Sequence, residues 1–170
     1  GIPYPSTAER FELLEDNLRL AKALWAGDET SFEGTHLSAP AITNNPRPLS
    51  QPHPRIMIGG TGPKKTLRMV AQYADACNIG DWVGRQNMQK SLDALKVHCE
   101  TLGRDYDSVE KTTLGTVHLS GKDTVDGVIR RIQDLSAMGF THAIFNMPDV
   151  YKIEPLETFA SEIIPAVAEL

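Results

Sequence analysis

The sequence predicts an α/β fold with a parallel sheet. Short apolar runs at residues 55–58, 76–79, 114–119 and 142–146 alternate with longer segments of helical periodicity, and glycine or proline marks the junctions between them. Strands that alternate with helices make βαβ units, whose crossovers are right-handed. Two architectures accommodate four such units: a small doubly wound sheet, or half of a (β/α)8 barrel. A complete barrel needs about 250 residues, and this chain has 170.

The elements follow in chain order. Ser6 and Glu9 have the S-x-x-E spacing of a capping box, and the apolar stripe Phe11, Leu14, Leu18, Ala21 and Trp25 predicts a helix that Gly27 stops. The acids Glu9, Glu12, Glu15 and Asp16 read as a solvated face of it. From Asp28 to Pro54 the chain is rich in Pro, Asn and Ser and reads as an irregular insertion. Within it, residues 30–37 predict a small hairpin turning at Glu33-Gly34, and Pro40, Pro46, Pro48, Pro52 and Pro54 exclude a central strand or helix. Arg55–Ile58 is the first predicted strand of the parallel sheet, with Pro63 suited to the first helical position after it. Ala76–Ile79 is the second, and a helix from about Arg85 to Gly103 follows. Leu114–Leu119 is the third, and Asp123 is placed to cap the next helix, which Gly139 closes. His142–Asn146 is the fourth. A last helix carries Phe159, Ile163, Ile164 and Val167, and Pro165 predicts a kink in it. The whole chain reads as one partial domain: a helix over 1–27, the insertion over 28–54 and four β/α units over 55–170.

The most informative stretch is Ile56-Met57-Ile58-Gly59-Gly60-Thr61-Gly62. A strand delivers glycines to a helix start, where backbone N–H groups and the positive end of the helix dipole can meet an anion. On spacing alone the loop is either a phosphate grip or a tight turn with no ligand. Two sharper motifs are excluded. A Walker A loop needs Gly directly before Lys-Ser/Thr, and Lys64 stands there; the dinucleotide fingerprint needs a third glycine where Lys65 stands. Lys64 and Lys65 either supplement an anion site or are solvated first-turn lysines. Asn78 and Asn146 fall near the carboxyl ends of predicted strands, the end that carries the site in a barrel, and each is a ligand contact or a loop cap. Asp81-Trp82 follows the second strand as a pocket wall or a packed rim.

Composition excludes several function classes. Hydrophobic residues are 41% and charged residues 23%, and the formal net charge of −5 argues against a nucleic-acid footprint. No apolar run reaches membrane-spanning length, and the N-terminal residues lack the pattern of a signal peptide. Cys77 and Cys99 read as reduced packing thiols. The expected location is therefore the cytoplasm, with no membrane or nucleic-acid partner. His36, His53, His98, His118 and His142 show no paired ligand spacing, so no metal site is expected. No nucleophile elbow appears, and no residue read alone is named as a catalytic acid or base. The chain opens without Met inside what reads as a loop, which points to a fragment, a processed chain or an engineered boundary.

A set of short motifs resembles the luciferase-like oxidoreductases. They are Gly1-Ile2-Pro3-Tyr4-Pro5, Glu9-Arg10-Phe11, Leu24-Trp25, Phe32-Glu33-Gly34, Asn45-Pro46-Arg47-Pro48, Pro52-His53-Pro54, Ile56 to Gly62, Thr66-Leu67-Arg68 and Tyr73 to Asn78, with Phe159-Ala160 and Ile163-Ile164-Pro165 closing the chain. Their order and spacing span nearly the whole sequence and are most similar to the branch dependent on coenzyme F420. The resemblance implies the C-terminal half of a (β/α)8 TIM barrel, strands five to eight, with an insertion hairpin around Phe32-Glu33-Gly34 lining the substrate side. It implies that Gly59, Gly60, Thr61 and Gly62 hold the cofactor phosphate, with Asn78 beside the cofactor. The implied reaction is hydride transfer between F420 and an organic substrate. The alternatives are an FMN-dependent monooxygenase of the same superfamily and a non-catalytic binding or assembly module of the same fold. Two departures stand out. The family's first four strands, which carry one pocket wall, are missing, and Cys77 stands where the family often has a large aromatic residue. The isolated chain is thus expected to be weak or inactive. A half barrel with an apolar inner face and open edges is expected to pair with the missing N-terminal half or with a second copy as a homodimer.

Overall fold

The structure, a computed structural model, describes every residue except Pro3 and Asp28, so the ends of two sequence readings, the opening motif at Pro3 and the insertion boundary at Asp28, lie outside the described residues. The chain forms two compact units, Gly1–Ile56 and Met57–Leu170.

The first unit opens with α1 (Thr7–Ala26), and the capping box forms as expected: the Ser6 hydroxyl accepts from Glu9 N, and the Glu9 carboxylate accepts from Ser6 N. The hairpin differs from expectation. β1 (Thr30–Glu33) pairs antiparallel with β2 (Ser38–Ile42), so Gly34–Leu37 is the turn. Asp16 is the reason. Its carboxylate accepts the backbone N–H of His36 at 2.7 Å and of Leu37 at 3.2 Å, which withdraws those residues from any ladder. Asp16 is 2% exposed, so it is not part of a solvated face, and Glu12 pairs with His36. The hydrogen bond from His36 N, helped by those from Thr35 and Leu37 and by Arg19, holds the Asp16 carboxyl below its ordinary value. A side chain on Gly34 would overlap that carboxylate. Pro40 does lie in a strand, which a two-stranded ribbon tolerates because its outer edge needs no N–H donor; the ladder register shifts there, and the Ser31 hydroxyl donates to Pro40 O.

The second unit is a four-stranded parallel sheet, β3 (Met57–Gly59), β4 (Ala76–Gly80), β5 (Glu110–Thr116) and β6 (His142–Asn146), in sequential order. The helices α2 (Thr66–Tyr73), α3 (Arg85–Leu102) and α4 (Val125–Ala137) connect the strands. The helix-facing side of the sheet presents Ile58, Cys77 and Ile79, packed with Leu67, Val70, Leu92, Leu95 and Cys99 in a core where each residue is at most 6% exposed. Both thiols are free, and burial pushes each above its ordinary pKa, in keeping with packing roles. A second cluster gathers Val117, Val128 and Ile163, with Phe145 and Phe159 against it.

Several element boundaries depart from the pattern of the sequence, among them β3, which runs Met57–Gly59 in place of the expected Arg55–Ile58. β5 begins four residues before the predicted Leu114 and ends at Thr116. Its polar start, Glu-Lys-Thr-Thr, is stable in a sheet because each buried polar group is satisfied. The Lys111 ammonium donates to Tyr106 O at 2.9 Å and sits 3.8 Å from the centre of the Tyr106 ring, and the hydroxyls of Thr112 and Thr113 donate to Cys77 O and Ile79 O. The cap of α4 is Thr124, whose hydroxyl accepts from Gly127 N; Asp123 instead accepts from His118 N. Pro63 precedes α2 by a full turn, with Lys65 at the N-cap. At the C-terminus, α5 (Glu154–Thr158) and α6 (Ile164–Val167) are joined by a π-helical turn over Phe159–Ile163. Pro165 has no N–H to continue the α ladder, and the widened turn absorbs that gap.

Candidate cofactor and substrate site

Paired residues on neighbouring parallel strands point to the same face, and residues along a strand alternate. Ile58, Cys77 and Ile79 point to the helices, so Gly59, Asn78 and Thr112, which share a register row, point to the opposite face. Met57, Leu114, Ile144, Thr116 and Asn146 join them there. This face was expected to be apolar. It is mixed, because the apolar residues that make the strands recognisable are largely the ones that face the helices.

At the carboxyl end of β3 the chain enters the glycine loop. Gly60 has φ +128°, a conformation that strains any residue with a side chain, and Gly60 N donates to Asn78 O at 2.9 Å. The loop wraps the first residue of α2: a Cβ on Gly62 would come within 2.8 Å of Thr66 Oγ1, and one on Gly60 within 3.2 Å of Thr66 Cγ2. No side chain caps α2 at Lys65; Leu67 N donates to Gly62 O at 3.0 Å, so the loop itself takes one of the N-terminal donors. Beside the loop is a cavity of about 300 Å³ lined by Thr61, Pro63, Val83, Asn87, Lys90 and Ser91. Lys64 and Lys65 are exposed. The loop is also tethered from α3, where His98 Nε2 donates to Pro63 O at 2.7 Å. His98 carries no motif of its own, Thr66 enters only through the Thr66-Leu67-Arg68 motif, and the spacing of the loop alone singles out neither.

Asn78 is half-buried, and its side-chain amide donates to Thr112 Oγ1 at 2.8 Å. Thr112 Oγ1 in turn donates to Cys77 O, so the Asn78 amide is fixed and its carbonyl oxygen is the group left to meet a ligand. The two halves of the Asp81-Trp82 pair separate. Asp81 forms an ion pair with Arg131, which also donates to Thr116 O, and Gly115 leaves room for the pair; Trp82 is 71% exposed at the rim.

The structure also assembles a pair that sequence spacing does not show. His118 follows β5 and Asp149 follows β6, and His118 Nε2 lies 3.0 Å from Asp149 Oδ2. Val117 is packed in the core, and His118 stands two residues past the end of β5, at the carboxyl end of the sheet. Hydrogen bonds from Ser120 and His118 hold the Asp149 carboxyl below its ordinary value, and Lys152 adds to this. Asn146 is exposed at the end of β6. Among the described residues no group of three or more His, Cys, Asp or Glu is placed to hold a metal ion, and no helix is long and apolar enough to cross a membrane.

Comparison with known proteins places this geometry in a family. An F420-dependent glucose-6-phosphate dehydrogenase of Beutenbergia cavernae is 26% identical over 215 residues, an alignment covering 97% of this chain and 63% of the relative. An FMNH(2)-dependent dimethylsulfone monooxygenase of Pseudomonas putida is 36% identical over 82 residues, 48% of this chain and 21% of its own. A solved F420-dependent secondary alcohol dehydrogenase, in complex with an F420-acetone adduct, superposes with a TM-score of 0.80 at 16% identity, across 97% of this chain and 64% of that one. The chain thus spans less than two thirds of the length of these relatives, and its fold is part of a luciferase-like TIM barrel. The family model described as luciferase-like monooxygenase matches residues 3–144, and the chain belongs to that family.

Proposed function

We propose that this chain supplies the cofactor-phosphate side of an oxidoreductase that transfers a hydride between coenzyme F420 and an organic substrate. The observation that carries the reading is the glycine loop: a positive-φ Gly60 locked to Asn78 O, in front of a helix that no side chain caps. Those residues fit a phosphate, because close approach of a ligand needs the missing Cβ atoms and an anion is favoured at the helix N-terminus. In this reading the backbone of Gly59, Gly60, Thr61 and Gly62 binds the phosphate of the cofactor tail. Asn78, fixed by Thr112, offers its carbonyl oxygen to the cofactor. When bound, the cofactor supplies the two-electron redox chemistry, and the protein positions it.

A second reading, an FMN-dependent monooxygenase, is favoured by the stretch 36% identical to the dimethylsulfone monooxygenase. Both cofactors carry a phosphate on the ribityl chain that this loop can take, and the rings differ in a region this chain touches less. The mixed inner face and the sheet edges at β3 and β6 also suit a further half-barrel. We assign that place to a complementary half or to a second copy of this chain, which sedimentation velocity would reveal as a species heavier than the monomer.

The deciding experiment is a fluorescence titration of the chain with oxidised F420 and with FMN, repeated with Gly60→Asp. Saturable binding of F420 that is lost in the variant supports the proposal, since Asp adds both a strained Cβ and a negative charge at the grip. Preference for FMN moves the assignment to the monooxygenase. Binding of neither, alone or with the complementary half-barrel of a relative, overturns both and leaves a non-catalytic module.

A further inference from the structure

A pocket of about 510 Å³ opens at the carboxyl ends of β5 and β6, within the range of sites that take small organic molecules. Thr116 and Asn146 stand at the two strand ends, and Phe145, Met147, Val150 and Leu156 supply apolar wall. No charged side chain lines it among the described residues. The cations nearby are already engaged: Asp149 takes His118 at 3.0 Å and Lys152 at 3.5 Å, and Arg131, which donates to Thr116 O, is paired with Asp81. The acids Glu154 and Glu157, on either side of Leu156, are exposed. An anionic ligand entering here would lose its hydration and gain no free cation, which is unfavourable. An apolar ligand would instead cover Val150 and Leu156, which are 62% and 43% exposed. The Thr116 hydroxyl and the Asn146 amide can each hydrogen-bond one ligand oxygen.

We propose that this pocket is the substrate side of the site and that it takes an uncharged, largely apolar molecule bearing a single hydroxyl or carbonyl group. The assignment rests on the oxidoreductase reading for its meaning as a substrate site, and it is tested without turnover. The full chain is labelled with 13C at the methionine methyls, and the Met147 signal is assigned from Met147→Leu. The chain is then titrated with menthol, an uncharged probe with one hydroxyl, and with glucose 6-phosphate, an anionic one. Menthol is expected to shift Met147 saturably, and glucose 6-phosphate is expected to leave it unmoved. Asn146→Asp, at an exposed strand end where the fold can be verified by circular dichroism, sets a carboxylate at the pocket and is expected to weaken menthol about tenfold. A saturable shift with glucose 6-phosphate, no saturation with menthol, or an unchanged menthol affinity in Asn146→Asp overturns the proposal. Failure of the cofactor titration with menthol still binding removes the oxidoreductase reading and leaves the pocket. Cofactor binding without menthol binding does the reverse.

Discussion

The carboxyl ends of β3 and β4 and those of β5 and β6 belong to one sheet, yet they are built by different means. The first pair builds its candidate site from backbone: Gly60 at positive φ, Gly62 against Thr66, and an α2 start that no side chain caps. The second builds its proposed pocket from side chains brought together over long separations, with His118 against Asp149 and apolar walls from residues 145–156. A backbone grip suits a group common to many ligands, such as phosphate, because glycine and N–H groups read charge and shape only. A side-chain pocket suits discrimination, because each wall residue can change without breaking the turn that carries it.

Each side also rests on its own core, and this gives the largest expected effects. Leu95, fully buried under α2 and β4, supports the glycine loop; Leu95→Ala is expected to cost about 2–5 kcal/mol in urea unfolding. Ile163→Ala should cost a comparable amount in the Val117 cluster. If the two ends are independent, residual menthol binding at Met147 survives the first better than the second. Equal loss in both would merge the two regions into one cooperative block.

A smaller effect is expected at the row joining the two ends. Thr112→Val removes the acceptor of the Asn78 amide and the donor to Cys77 O, leaving buried polar atoms unpaired at about 1–3 kcal/mol. It should also weaken cofactor binding by freeing Asn78. An unchanged affinity would assign Asn78 to packing alone. His98→Leu is milder, at about 0.5–1.5 kcal/mol for the lost bond to Pro63 O, and it should raise amide exchange in residues 59–63 while sparing 146–150.

The smallest effect lies in the first unit and depends on pH. Asp16 has its carboxyl depressed by the N–H groups of the turn. Its contribution is therefore complete above the ordinary value of 3.8 and is lost as the pH falls through the lower folded value. The stability gap between the native chain and Asp16→Asn, followed by Trp25 emission in a Trp82→Phe background, should shrink on acidification below that value. A constant gap would mean that the turn is held by something other than the ionised carboxylate.

Legibility in the sequence follows the range of the interactions. The capping box at Ser6 and Glu9, the end of α3 at Gly103 and the glycine loop were all readable, because each is set by residues within a few positions. The start of β5 was not, because Glu-Lys-Thr-Thr resembles a loop until Tyr106 and the carbonyls of β4 satisfy it. Asp16 was read as surface for the same reason: its partners lie about twenty residues away in sequence.

By itself the sequence determined the alternation of strand and helix, and hence the parallel sheet, since hydrophobic period and turn chemistry are local properties of the chain. It also marked the glycines after β3 as the candidate anion site. Tertiary structure decided which face of each strand became the inner one, that Thr112 fixes Asn78, and that His118 meets Asp149 beside an uncharged pocket. Those outcomes depend on register between strands and on loops that return to the same end of the sheet. A one-residue slip would reverse every face, and no local pattern encodes the distance between residues 118 and 149.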